Sequence, residues 1–312
     1  MHKYIIRKIL HTIPIILGIT SITFILMNVV PGDPVAYLVD ERLQEIDPLV
    51  AANVRKQWGL DKPLYLQYFY YIANVTRGNL GISFRYNQDV LKIILERLPA
   101  STQLALASMF VAVLIGTVSG IIAAIKQNSS IDTGSMVVAL AGVSMPSFWQ
   151  GLMMMWVFGV LWPILPPSGY GGGSFKYLIM PSITLGTGIA ALIARMTRSS
   201  MLNVVRQEYV TTARAKGLSE KVVIFKHALK NALIPVVTVI GVQMGGVLTG
   251  AVITETVFNW PGVGRLLVDS LNQRDTPLVQ GCVIFIAVIF VAINTIVDII
   301  YVYLDPRIRY GE

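Results

Sequence analysis

Residues able to bind phosphate or metal are few and scattered in this sequence. The Gly-rich run at residues 169–174 is not followed by the Lys-Ser/Thr pair with which a P-loop holds ATP phosphates. His2, His11 and His227 lie far apart, without a Cys or carboxylate pair at metal-ligand spacing. A hydrolytic triad has equally little support. The sequence therefore predicts a chain that is not an enzyme and that itself binds no metal and no cofactor.

Composition points to the membrane. The 312 residues are 54% hydrophobic and only 13% charged, whereas soluble domains are about 45–50% apolar and about 25% charged. This excludes a typical soluble enzyme and a disordered chain. Cys282 is the only cysteine, so no disulfide within the chain is available and a buried, apolar role is expected.

Six segments have the roughly 20 apolar residues that a membrane-spanning helix needs. The predicted fold is all-α: a polytopic membrane protein with six transmembrane helices. The predicted spans are residues 9–30, 101–125, 135–161, 177–197, 232–254 and 278–304.

Lys and Arg residues set the predicted orientation, because cytoplasmic connections are enriched in them. With both termini in the cytoplasm, the inner segments hold fourteen, and the outer loops after the first hold three. The net charge of +8 therefore needs no nucleic-acid partner. The predicted organisation is the N-terminus with the first span (1–30), an extracytoplasmic loop with short interfacial helices (31–97), a five-helix core (98–304) and a cytoplasmic tail (305–312).

An aromatic cluster follows Pro63 in the first outer loop. Its members are typical of a helix that lies at the lipid headgroups: Tyr65, Tyr68, Phe69, Tyr70 and Tyr71.

The inner loop at residues 201–231 combines two short helical patterns with a tight turn. The first ends at Gly217, which suits a left-handed C-terminal cap, and Ser219 suits the N-cap of the second. The second pattern aligns Val222, Phe225 and Leu229 along one side. On the first helix, Thr212, Ala213 and Lys216 share a face that offers small side chains to a partner. A plain basic loop explains these residues equally well.

The run Glu-Tyr-Val-Thr-Thr-Ala-Arg-Ala-Lys-Gly at 208–217, followed by His-Ala-Leu-Lys-Asn-Ala-Leu-Ile-Pro at 227–235, resembles the coupling loop of ABC-importer permeases. Thr-Thr-Ala at 211–213 stands where the general family pattern begins Glu-Ala-Ala, and this departure is similar to the dipeptide/oligopeptide/nickel branch. Blocks along nearly the whole chain agree, among them Pro-Gly-Asp-Pro at 31–34 and Glu-Thr-Val-Phe-Asn-Trp-Pro-Gly-Val-Gly-Arg at 255–265. Their order is similar to the first, B-type permease subunit.

The resemblance implies a type I ABC importer in the inner or plasma membrane of a prokaryote. Its expected partners are a second homologous permease, two ATPase subunits that bind ATP and Mg, an extracytoplasmic substrate-binding protein and membrane lipid. The residues that it implies for coupling to the ATPase are Glu208, Tyr209, Thr212, Ala213, Lys216, Gly217 and Leu218.

Polar groups within spans are costly unless they face a cavity or a neighbour, so they are candidates for the translocation pathway. Ser-Met-Pro-Ser at 144–147 should also break the third span, because proline removes a backbone hydrogen bond. The candidates are Ser144, Met145, Phe148, Gln243, Glu255 and Asn294. For Asp298, one turn after Asn294, an interhelical hydrogen bond or snorkelling to the cytoplasmic interface is preferred to a substrate contact. The alternative for Glu255 is a pairing with Arg265. Helix packing is the expected role of the small-residue steps through Gly241, Gly245, Gly246 and Gly250.

A Pro/Gly turn after the fifth span carries Phe258 and Trp260 and is followed by Arg265. We interpret the three as contacts to the docked binding protein, with a simple interface anchor as the alternative. The predicted function is transport of di- or oligopeptides. Glutathione or a nickel chelate is the alternative within the class, and an ion-coupled secondary transporter is the alternative outside it.

Overall fold

The computed structural model describes residues 2–29 and 61–304. Within these ranges the secondary structure is helical, apart from one isolated bridge between Ile82 and Asp89. The all-α prediction is confirmed. The described helices of the first half are α1 (His2–Val29), α2 (Leu64–Thr76), α3 (Val90–Ile125), α4 (Ser130–Ser144) and α5 (Ser147–Met154), which continues into a π-helical segment, Met155–Leu161.

The second half begins with a short 3-10 turn, Gly171–Gly173, and contains the longer helices of the core. A π-helical segment, Val223–Ala228, joins α8 to α9 without interruption. The helices are α6 (Phe175–Val205), α7 (Glu208–Ala215), α8 (Glu220–Val222), α9 (Leu229–Val257), α10 (Val263–Asn272) and α11 (Thr276–Leu304).

Four described helices are long and apolar enough to cross a membrane: α3, α6, the continuous helix Glu220–Val247 and Thr276–Ile299. The pair α4 and α5 with its π-helical extension makes a fifth if the two halves are one span. The first predicted span falls on α1, whose described apolar part is Thr12–Asn28. The chain is thus a polytopic membrane protein, and the total of six spans stays a prediction.

The predicted break in the third span is present and is larger than a kink. The axes of α4 and of the helix that follows differ by 104°. Met145 adopts an extended conformation, with φ −85° and ψ 123°, because the ring of Pro146 disfavours the helical region for the residue before it. Pro146 is the N-cap residue of α5, which begins at Ser147.

The chain divides into two compact units, of which the first contains the described residues up to Ala100 together with Pro261–Val291. Its apolar core is formed where α3, α10 and α11 contribute Ile94, Leu266 and Leu278. Asp275 ties the turn at 83–85 to the start of α11, since its carboxylate accepts hydrogen bonds from the Ser83 hydroxyl and from the Phe84, Arg85 and Leu278 amides.

Helix α2 packs on α1 within this first unit. The hydroxyls of Tyr68 and Ser21 are 2.6 Å apart, and the rings of Tyr68 and Tyr71 contact Phe24. Tyr65, Phe69 and Tyr70 stay exposed on other faces of the helix. The aromatic cluster is therefore helical, and part of it is used to hold α2 against α1.

Helix α6 is the centre of the second unit, which contains Ser101–Trp260 and the chain from Ala292 onward. In its apolar window 67% of the residues are buried, against 33% in α3. Gly116 and Gly120 of α3 allow this burial, because a Cβ at either position would lie 2.6 Å from a carbonyl oxygen of α6, that of Ala190 or Ala194. Their G-x-x-x-G spacing is the signal for close helix contact.

We predict that Gly116→Ala destabilises the protein, because the added methyl group forces α3 away from the backbone of α6. The expected cost is about 1–3 kcal/mol, as for other overpacked sites. Thermal denaturation of the detergent-solubilised protein measures it. Gly188→Ala on α6 is the matched control, since nothing lies within 4 Å of its added Cβ, and equal melting temperatures for the two variants would contradict the packing argument.

Candidate functional site

The candidate coupling site is built on α7 and the turn that follows it. The helix begins at Glu208 after Gln207, and its last turn is closed by hydrogen bonds from the Lys216 and Gly217 amides. Gly217 has φ +77°, a left-handed conformation that costs side chains with a Cβ free energy. The predicted C-terminal cap is confirmed.

One face of α7 is fixed against the protein. Val210 and Ala213 are buried together with Val223 of the π-helical segment, and Val204 packs against all three. Ala213 therefore points inward, in contrast to the expectation that it shares an outward face with Thr212 and Lys216. The reason is the spacing of Val210 and Ala213, three residues apart, which places both on the inner side of the helix.

The opposite face of α7 is open. Tyr209 and Leu218 are 42% and 40% exposed, and Glu208, Thr212 and Lys216 are exposed beside them. Five of the seven residues that the resemblance implies for coupling are thus accessible. Gly217 forms the turn that ends α7, and Ala213 is buried on the inner side of the helix.

Two side-chain contacts hold α7 against the segment that follows. Arg214 donates to Glu220 across the Gly217 turn at 2.7 Å, and Asn231 donates to the Tyr209 hydroxyl at 2.8 Å. Ser219 occupies the predicted N-cap position of α8, although its side chain makes no capping hydrogen bond. Exposed pairs such as Arg214–Glu220 contribute little free energy, so the buried valines provide most of the rigidity.

The second helical segment exposes two of the three apolar residues that were predicted to lie along one side. Phe225 is 58% exposed and Val222 is 38% exposed, and together with Lys221 and Lys226 they line a shallow groove. Val223 carries the buried contact instead. Periodicity correctly aligned Val222 and Phe225 but could not tell which side of the helix faces the protein.

The broken span exposes part of its predicted pathway set. Met145 at the break is 37% exposed and Phe148 on the first turn of α5 is 49% exposed, and Ser144, which ends α4, is exposed next to them. Gln150 of α5 donates to the Thr187 hydroxyl of α6 at 3.1 Å. The break thus presents side chains to the exterior of the chain while α5 remains anchored.

Asn294 and Gln243 are partly buried. A Cβ on Gly245 would lie 2.8 Å from the Asn294 amide oxygen, and one on Gly241 would lie 2.6 Å from the side chain of Val297. The step from Gly241 to Gly245 therefore brings α9 and α11 into close contact. This agrees with the packing alternative for these glycines and places Asn294 at a helix interface.

Glu255 lies inside the second unit. Its side chain is fully buried and accepts a 2.6 Å hydrogen bond from the Ser101 hydroxyl, while its backbone carbonyl accepts one from the Trp260 amide. The sequence made Glu255 a candidate for the translocation pathway, whereas the structure shows a buried contact between α3 and the end of α9. Hydropathy gave no signal for this pairing, because Ser101 reads as an ordinary polar residue at a predicted span boundary.

Phe258 and Trp260 are also internal. Their exposed fractions are 1% and 0%, the Trp260 ring meets Tyr170 edge to face at 4.8 Å, and the Gly169 amide donates to the Phe258 carbonyl. The structure therefore does not present these two rings to a binding protein. Arg265, in the first unit, is partly exposed and lies 3.5 Å from Asp269.

In the part of the chain that the structure describes, no group of three or more His, Cys, Asp and Glu residues could hold a metal ion. The accessible chemistry of the site is that of a protein-docking surface: a charged and aromatic face on α7 beside an apolar groove edged by lysines.

Two family models match the chain along most of its length. The description "Binding-protein-dependent transport system inner membrane component" matches residues 116–310, and the corresponding N-terminal model matches residues 1–105. Among curated proteins, the chain is 44% identical to a di/tripeptide transport system permease protein, DppB, of Pseudomonas aeruginosa, over 99% of each chain. It is 42% identical to a glutathione transport system permease protein, GsiC, of Escherichia coli, over 99% of this chain and 100% of that one.

Among solved structures, the chain is similar to the MetNI methionine ABC transporter in an inward-facing conformation. The TM-score is 0.55 at 16% identity, over 69% of this chain and 97% of that one, and this likeness supports the fold. The family matches and the apolar helices lead to one conclusion. The chain belongs to the binding-protein-dependent transport system inner membrane components, and it is a multi-pass permease subunit of an ABC importer in a prokaryotic inner membrane.

Proposed function

We propose that this permease pairs with a second homologous permease to form a pathway for di- and oligopeptides. An extracytoplasmic substrate-binding protein delivers the substrate, and two ATPase subunits hold ATP and Mg and hydrolyse the nucleotide. The family match supports a complex with other subunits. Both chain termini lie in the cytoplasm in this proposal, which places α7 and the Gly217 turn on the ATPase side.

The observation that carries the proposal is the two-sided construction of α7. Its inner side, Val210 and Ala213, is packed in an apolar cluster, and its outer side, with Tyr209, Thr212 and Lys216, is exposed. A short helix that is packed on one side and exposed on the other can transmit a rigid-body displacement from a partner that binds its exposed side. The ATPase is the partner proposed for this face, and Glu208 and Leu218 extend the contact at its two ends.

Peptides are the proposed substrate class because of the relatives. Di/tripeptide and dipeptide permeases match at 44% and 42% identity over at least 99% of both chains. Glutathione is the second candidate, since a permease named for it matches at 42%. Glutathione is itself a small peptide, so the same pathway would accept both glutathione and dipeptides. In this proposal the binding protein selects which substrate is delivered. A nickel chelate remains the third candidate of the class.

The proposed pathway runs beside the broken span. Ser144, Met145 and Phe148 supply accessible side chains there, and Gln243 and Asn294 contribute polar groups from α9 and α11. We assign Glu255 to holding its helix in place, because it is buried against Ser101. Arg265 is the remaining candidate for contact with the binding protein.

Reconstitution tests this function. Proteoliposomes that contain both permeases, the ATPases and the binding protein should take up a radiolabelled dipeptide only when ATP is enclosed with the ATPases. Uptake by this chain alone, driven by an ion gradient without ATP, would show a secondary transporter instead. Calorimetric titration of the binding protein with dipeptides, glutathione and a nickel chelate decides among the substrates.

We predict that Gly217→Val abolishes substrate-stimulated ATPase activity in the assembled complex. Nothing lies within 4 Å of the position, so the substitution acts through backbone strain, at about 1–2 kcal/mol, and not through a clash. The turn should reorient and α7 should lose its docking angle. Gly217→Asn is the matched control, because Asn tolerates the left-handed region. Normal stimulation in the Val variant would refute the role of the turn.

We predict that Glu255→Ala lowers thermal stability and leaves the KM for peptide uptake unchanged, because the side chain is an internal tie. Loss of the acceptor removes a buried hydrogen bond to Ser101, at a cost of about 1–3 kcal/mol. Glu255→Gln should retain most of the stability, since its amide oxygen still accepts from Ser101. The melting temperature and the uptake kinetics measure the two effects. A raised KM with unchanged stability would instead place Glu255 in contact with substrate.

A further inference from the structure

An ion pair between a buried carboxylate and a partly exposed guanidinium joins α4 to α6 in the second unit. Arg198 of α6 donates from Nε to one carboxylate oxygen of Asp132 at 2.6 Å and from an Nη atom to the other at 2.7 Å. Asp132 is 3% exposed. Two parallel hydrogen bonds fix the relative direction of the two side chains as well as their distance, so this pair holds α4 at a defined angle to α6.

Asp132 is also held by contacts at the N-terminus of its own helix, independently of Arg198. It lies in the first turn of α4, where its amide donates to the side chain of Ser129, the N-cap residue, and its carboxylate accepts from the Asn128 amide at 3.0 Å. Asn128 has φ +62°, the left-handed conformation that asparagine tolerates. The acidic group is therefore fixed at the first turn of α4, which continues to the break at Met145.

Arg198 lies near the end of α6 that leads into α7, the proposed coupling helix. Only Arg206 and Gln207 separate α6 from α7. Met201 of α6 packs with Ala228 and Ala232 in one buried cluster, and the Ser200 hydroxyl donates to the Ala232 carbonyl at 2.8 Å. Buried contacts thus hold together the end of α6, α7 and the start of α9, which we call the coupling block. Helix α4 contacts this coupling block through Arg198.

The other half of the broken span is attached to α6 at a different level. Gln150 donates to the Thr187 hydroxyl, and the Thr184 hydroxyl lies 3.4 Å from the sulfur of Met154. Thr187 and Arg198 are eleven residues apart, about 16 Å along a helix. Gly142 of α4 also lies against Thr187, since a Cβ there would be 3.0 Å from its methyl group. Both halves of the broken span therefore meet α6 near Thr187, and α4 has in addition an ionic contact with α6 eleven residues further along.

We propose that Asp132 and Arg198 are a positioning pair for coupled transport: they transmit displacement of the coupling block to α4, the half of the broken span that precedes Met145. When the ATPases move α7, the attached end of α6 carries Arg198, and the bidentate contact carries α4 with it. Separation of the pair would leave the buried Asp132 carboxylate without its charged partner, which is costly, so the two helices move together. This inference rests on the proposed function of α7.

The test uses the full importer in proteoliposomes and measures peptide taken up per ATP hydrolysed. Asp132→Asn and Arg198→Lys should keep assembly and basal ATPase activity but lower the transport ratio at least about fivefold, the lower end of typical coupling energies. The charge-reversed double variant, Asp132→Arg with Arg198→Asp, should recover part of the ratio. Arg195→Gln, an exposed position one turn earlier on α6, is the matched control and should behave as wild type.

An unchanged transport ratio in Arg198→Lys and Asp132→Asn would overturn the proposal. Should Asp132→Asn fail to assemble, Arg198→Lys decides alone, because it preserves the charge and removes only the bidentate geometry. A low ratio in both single variants without recovery in the reversed pair would also overturn it, since a purely local defect gives that pattern. Failure of the proposed function is distinguishable, because the wild-type complex would then show no ATP-dependent uptake at all.

Discussion

Close backbone contact around α6 is the constraint on which the second unit depends. Gly116 and Gly120 bring α3 within reach of the α6 carbonyls, and a Cβ on Gly186 of α6 itself would lie 2.7 Å from the Ser108 carbonyl. Lipid offers apolar side chains no less favourable surroundings than protein does, so helices in a membrane associate through shape and close packing. Such close contacts leave α3 and α6 little room to shift against each other without steric overlap.

The attachments of α6 connect the proposed coupling helix, α7, with both halves of the broken span. At one end α6 leads into α7 and shares buried contacts with the start of α9. Along its length it holds both halves of the broken span through polar contacts at separate levels. Polar contacts are directional, so in a membrane they fix the relative orientation of two helices more closely than apolar contacts do. The apolar contacts therefore hold α6 against its neighbours, and the polar contacts fix the orientation of the two halves of the broken span relative to α6.

Local features of this protein were predictable from its sequence and long-range ones were not. Gly217 and the break at Pro146 follow from backbone sterics within a few residues, and both are confirmed. Phe258 and Trp260 show the limit, because apolar side chains are equally suited to lipid, to a partner and to the interior, and hydropathy does not distinguish these environments. Asp132 and Arg198 are 66 residues apart, and nothing local marks one as the partner of the other.

The bend at Met145 also has a consequence for the bilayer. Helix α4 has 15 residues and so reaches about 22 Å, while the hydrocarbon layer is about 30 Å thick. Neither half of the broken span matches that thickness, and Val137, Val138 and Leu140 on α4 are more than half exposed. A span shorter than the bilayer is accommodated by local thinning, by snorkelling of flanking residues or by oligomerisation, and mismatch carries an energetic cost for each ångström. Covering this face with another protein removes that cost, so the broken span itself favours assembly with a neighbouring subunit.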